Sequence, residues 1–194
     1  VITYNTVGTY PVSLTVKKGT DSDTETKSAY INVINNSGGD CDMLTYPSND
    51  RMKCCYKAGK NGYISGTNAY GDLAKANLFQ TYSPYDRIVQ IGFGFVIAKG
   101  NNSTQVTYKI WQANGTNPGT VIHSGTISLG TIKTNAANKK FTIVDLMDTP
   151  VNITGPFFIG FEIPKTAGDS IAVNHYCDGE TDPNIAYEQL SDGT

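Results

Sequence analysis

The sequence predicts an all-β chain, an antiparallel β-sandwich, on three observations. Between Tyr85 and Leu129, three runs of alternating apolar and polar residues follow one another with turn-formers between them. Such alternation is the mark of strands with one buried face. Further short apolar runs continue at a spacing of roughly 8–12 residues, as an antiparallel sandwich requires. Only 16% of the residues are charged, and the chain carries 20 Gly and 12 Tyr against 7 Phe, the balance of a β-rich chain with many polar turns.

In residues 1–34, Tyr10, Val12, Leu14 and Val16 alternate with polar residues, and Ala29, Ile31 and Val33 do so beyond a Gly/Asp/Thr loop over 17–26. Two strands alone are marginal in water, so this segment needs partners. Residues 35–40, Asn-Asn-Ser-Gly-Gly-Asp, are small, polar and aperiodic and read as a linker. The expected division is thus 1–34, 35–40 and 41–194.

From 41 to 82 the pattern is irregular, and residues 72–79 read either as one helical turn or as the lead into a strand. In the central stretch Val89, Ile91, Phe93, Phe95 and Ile97 share one face, with Gln90, Gly92, Gly94 and Val96 on the other. Gly92 and Gly94 lack the third glycine and following helix of a phosphate loop; on a strand they mark a bulge or a close backbone approach. Val106, Tyr108 and Ile110 alternate against Thr107, Lys109 and Trp111. A turn over 114–120 then centres on Pro118-Gly119. Strands at 121–123, 127–129, 141–144, 151–153, 157–163 and 171–173 complete the series.

The formal net charge is -2 and the basic residues are scattered, which gives no electrostatic case for nucleic acid. No apolar run approaches the roughly 20 residues that span a bilayer, so membrane insertion is not expected. Val1-Ile2-Thr3-Tyr4 reads as the middle of a strand, and the chain stops soon after Ala186-Tyr187-Glu188. Both points lead to the expectation of a longer parent chain. Cys54 and Cys55 are adjacent and strained as a pair, so one or two disulfides linking them to Cys41 and Cys177 are expected. Buried free thiols are the alternative, and the zinc spacing is absent.

Residues Tyr4, Gly8-Thr9-Tyr10, Val12, Leu14, Val16, Thr26 and Tyr30-Ile31-Asn32-Val33 resemble the C-terminal part of a PKD repeat, an immunoglobulin-like sandwich. The resemblance implies a secreted or cell-surface multidomain protein. The following segment is similar to a jelly-roll-like module of large secreted Bacteroidetes-type proteins. That likeness rests on Gly62-Tyr63-Ile64-Ser65-Gly66-Thr67-Asn68, Tyr70-Gly71-Asp72, Ala74-Lys75-Ala76, the turn from Trp111 to Val121, and Pro156-Phe157-Phe158-Ile159-Gly160-Phe161. Such modules accompany PKD repeats beside protease domains or sorting signals, and the resemblance carries over no catalytic residue.

Neither Gly-x-Ser-x-Gly nor His-Glu-x-x-His occurs, so the common hydrolase signatures fail. His123 and His175 sit at strand positions, where a structural role is the plainer reading. Glu162, Asp145 and Asp148 form no evident carboxylate pair. Asp178, Glu180 and Asp182 alternate around Gly179, and such oxygens can converge on calcium; the plainer reading is a solvated acidic loop. Trp111, Tyr63, Tyr70 and Tyr176 are the candidate ligand-binding rings, because amphipathic rings combine stacking area with a polar handle. The plainer reading places them over sheet edges. Asn101, Asn114 and Asn152 begin glycosylation sequons, which count only in a eukaryotic secretory route.

The expected function is a non-catalytic binding or adhesion module of a secreted or cell-surface protein. Its partners would be other domains of the parent chain and a glycan or an extracellular protein. The alternative is an accessory domain of a secreted hydrolase, foremost a protease.

Overall fold

The computed structural model describes residues 4, 6, 8–33, 41, 43–44, 53–80, 85–177 and 185–193. The chain divides into two compact units, Val1–Thr45 and Tyr46–Thr194.

The first unit contains a hairpin of β1 (Gly8–Lys18) and β2 (Asp21–Val33). The loop expected over 17–26 is instead a two-residue turn, Gly19-Thr20, between paired Lys18 and Asp21. Gly19 has φ +62, which glycine adopts without a Cβ clash, and glycine first in a two-residue loop suits the twist of the flanking strands. The strands extend further than expected because hydroxyls pair across them: Ser13 with Thr26 at 2.7 Å and Thr15 with Thr24 at 2.8 Å. The alternation expected through Ala29 is broken. The register shifts between Tyr10 and Val12, and Ala29 takes φ 54 in the irregular stretch opposite.

The second unit runs through β3 (Lys53–Cys54), β4 (Ala74–Phe79), β5 (Arg87–Ile88), β6 (Gln90–Phe93), β7 (Phe95–Lys99), β8 (Gln105–Asn114) and β9 (Asn117–Ser128). A helix, α1 (Leu129–Ala137), follows, then β10 (Thr142–Asp145), β11 (Val151–Asn152), β12 (Phe157–Glu162), β13 (Ser170–Val173), β14 (His175–Tyr176) and β15 (Ala186–Gln189). One layer is an antiparallel sheet of order β15-β4-β12-β8-β9. In the other, β5, β6 and β7 form one interrupted line that pairs in turn with β11, β10 and β13. Short β14 pairs with β3.

The layers meet through Ile91, Phe93 and Phe95 on one side and Tyr108, Ile110 and Phe161 on the other. The Phe93 and Phe95 rings lie 6.1 and 5.1 Å from that of Phe161, both edge-on. Each such buried side chain contributes about 1.5–3 kcal/mol. The unit is the antiparallel β-sandwich that the alternation predicts.

Three local expectations give way. The central run is not one strand: it breaks at Val89 and Gly94, and Ile88 is buried while Val89 and Ile97 are only half-buried. Of the two readings of 72–79 the strand holds: residues 74–79 are β4, paired along its two edges by β12 and β15. The turn over 114–120 shrinks to Gly115-Thr116, and Pro118 lies within β9 opposite Ala113. This turn repeats the Gly-Thr pair of the first hairpin, with the same φ of +62 at the glycine.

Leu129, finally, starts α1 rather than ending a strand. Ser128 caps the helix, its hydroxyl accepting from the Thr131 amide at 3.1 Å, while Leu129 and Ile132 are fully buried. Past the helix, β10 turns Thr142 inward and leaves Phe141 and Ile143 half exposed. These two lie over Gly92 and Gly94, where a Cβ would meet Ile143 at 3.4 Å and the Phe141 ring at 3.3 Å. The bare glycine backbone provides their seat.

Candidate functional site

The five-stranded sheet has an outer face, turned away from the core, whose residues are set by register. Tyr187, Ala76, Gly160 and Lys109 share one row across β15, β4, β12 and β8. Leu78, Phe158 and Trp111 form the next row, and Gln189, Ala74 and Glu162 the row on the other side. The middle of this face is kept low. Gly160 lies so close to β4 that a Cβ there would sit 2.7 Å from the Cα and Cβ of Ala76 and would also strike the Lys75 carbonyl oxygen. Phe158 is fully buried although it points outward, because the Tyr187 ring stands edge-on above it, centroids 4.9 Å apart and planes at 89°.

A cleft of about 530 Å³ results, within the size range of small-ligand sites. Ala74 and Ala76 lie at its base, Trp111 and Tyr187 line its sides, and Asn117 and Gln189 supply polar groups. Charges at its borders are paired. Lys109 donates to Glu162 at 2.5 Å. Glu188 accepts from Lys75 at 2.6 Å, and Lys75 also holds Asp72 at 2.5 Å. Lys75 and Asp72 are buried, their side chains 9% and 4% exposed, against 50% for Glu188. Burial alone would raise the Asp72 carboxyl, but hydrogen bonds from Lys75 and Asn68 outweigh it and hold Asp72 below the usual carboxylate range.

Of the rings expected to bind ligand, Trp111 lines this cleft. Tyr63 and Tyr70 do not. Tyr63 is half-buried in an isolated bridge with Lys57, and the exposed Tyr70 accepts at its hydroxyl from the Asn61 side chain at 3.1 Å. The side chain of Tyr176, and the calcium candidates Asp178, Glu180 and Asp182, lie outside the described residues. Tyr187 and Gln189 are the cleft residues that the sequence left unmarked. The only signal for Tyr187 was its place in an Ala-Tyr-Glu run; its pairing with β4, far away in the chain, is what brings it to the cleft.

The remaining candidates take structural roles. His123 shares a hydrogen bond of 3.2 Å with the hydroxyl of core Tyr108, whose ionisation burial pushes up. His175 accepts at Nε2 from the Tyr56 amide at 3.2 Å. Cys177 is disulfide-bonded. Cys41, expected to pair, is instead an exposed free thiol, and Cys55 is a free, half-buried one. Burial raises the Cys55 thiol, with Ser65 opposing.

Comparison with family models, with curated proteins and with solved structures gives no match.

Proposed function

We propose that the chain is a non-catalytic recognition module of a secreted or cell-surface multidomain protein, and that the cleft between Trp111 and Tyr187 is its ligand surface. One observation carries this reading: two aromatic rings border a cavity of about 530 Å³ whose lining is kept low by Ala74 and Ala76. Rings beside a low floor and scattered amide groups can hold a ligand by stacking and hydrogen bonding, with no bond made or broken. The extracellular setting is supported by the resemblance of 1–34 to a PKD repeat. The test is a binding screen of the chain against glycans and extracellular matrix proteins, repeated with Trp111→Ala. Binding that falls roughly tenfold or more in the variant, as loss of one stacked ring implies, with an unchanged melting temperature, supports the reading. Binding that ignores the substitution places the ligand surface elsewhere.

A further inference from the structure

We infer that the ligand of this cleft is an uncharged polysaccharide chain, lying across the strands from Tyr187 towards Trp111. The inference rests on the recognition reading above and narrows it to one chemistry.

Charge comes first. Among the described residues that line the cleft, Glu188 is the one acid, and Lys75 holds it. A uronic or sulfated glycan finds no cation among these described lining residues, and a basic peptide finds its one acid already held by a lysine. A charged ligand that drew Glu188 away would cost Glu188 its cation, while Lys75 keeps Asp72. An uncharged ligand leaves the pair in place.

Shape comes second. Tyr187 and Trp111 stand on strands three places apart in the sheet and one row apart in register. With strands about 4.8 Å apart and two residues rising about 7 Å, their backbones are separated by roughly 16 Å. The Tyr187 ring leans back over Phe158, which pairs with Trp111, so the two rings face the same short stretch of the sheet. Beside them the lining is Ala74 and Ala76, which present no side chain beyond a methyl group. An extended chain can therefore pass between the rings.

Hydrogen bonding comes third. Asn117 and Gln189 stand near opposite ends of the cleft, on β9 and β15. Each amide both donates and accepts, and although the Gln189 nitrogen gives one hydrogen to the Gly193 carbonyl at 3.1 Å, the remaining donors and acceptors match hydroxyls on a sugar better than apolar side chains of a protein partner.

The experiment uses the whole chain and three sets of probes: neutral polysaccharides such as glucans, mannans and xylans; uronic and sulfated polysaccharides; and extended peptides. Binding is measured by affinity electrophoresis and calorimetry at low and high salt. Trp111→Ala and Gln189→Leu are compared, with melting temperatures to confirm folding; the second keeps both rings and removes an amide together with its hydrogen bond to the Gly193 carbonyl. The expected result is binding of a neutral polysaccharide that is unchanged by salt and weakened roughly tenfold by Trp111→Ala and severalfold by Gln189→Leu. Binding confined to charged glycans or peptides, yet lost in Trp111→Ala, overturns this inference and leaves the recognition reading standing. No binding by any set, or binding indifferent to both variants, overturns both.

Discussion

Gly160 shows how an absent side chain shapes a surface. It sits in the middle strand of the five, and the atoms that a Cβ would meet belong to the backbone and Cβ of β4, which cannot move aside without opening the sheet. Gly160→Ala is therefore expected to lower stability by about 3 kcal/mol, at the upper end for overpacking, read as a shift in urea midpoint with an unchanged slope. From the sequence, Gly160 appears only as part of an alternating strand, because what demands a glycine there is a neighbour more than eighty positions earlier. The same blindness hid Tyr187. Trp111 was legible, since its place opposite Tyr108 and Ile110 follows from alternation along one strand. Phe141 and Ile143 give the reverse lesson: two large apolar residues face outward because Gly92 and Gly94 offer them bare backbone to lie on, while Thr142 goes inside with Asn135 as a hydrogen-bond partner at 3.4 Å.

Among elements, strands were readable wherever a single period of two held, as in β8 and β12, where one face joins the core and the other does not. Their ends were less readable. Both hairpins were expected to have loops of seven to ten residues, yet each closes on Gly-Thr, and the hydroxyl ladder of the first and the bulged pairing of the second absorb the polar residues into strands. Helix α1 was missed because Ile127, Ser128 and Leu129 continue the alternation of β9 up to the cap. The signal lay in Ser128 itself, a favoured capping residue, before a run ending in Ala136-Ala137. Ser128→Ala removes the acceptor for the Thr131 amide and is expected to cost about 1 kcal/mol, measured by thermal or urea unfolding. Thr131→Ala, which keeps the Ser128 acceptor, should cost less.

For the sandwich as a folded body, acidity is the sensitive variable. Asp169 lies below the ordinary carboxylate range because the Thr104 hydroxyl and the Asn101 amide donate to it, at 2.5 and 2.8 Å. Asp72 is lowered as well, through Lys75 and Asn68 acting against its burial. An unfolded aspartate titrates near about 3.9, so between that value and the lower folded ones the unfolded chain holds more protons, and stability rises with pH. The contribution is whole above about pH 5 and disappears as acid protonates the folded carboxyls below about pH 4. Urea midpoints for this body should be flat with respect to these groups from about pH 7 to about pH 5 and fall below that. The double variant Asp72→Asn, Asp169→Asn should show a shallower acid fall; an undiminished fall would assign it to other carboxylates.

The trio of Asp72, Lys75 and Glu188 also constrains the order in which the sequence can drift. If Glu188 is lost first, Lys75 still has Asp72, and the vacated position is half in water. If Lys75 is lost first, Asp72 remains buried without a cation, beside the Asn68 amide, a penalty of about 3–5 kcal/mol against the roughly 5–15 kcal/mol that keeps a domain folded. A lineage can shed these charges from the exposed end inward, and almost never from the middle outward.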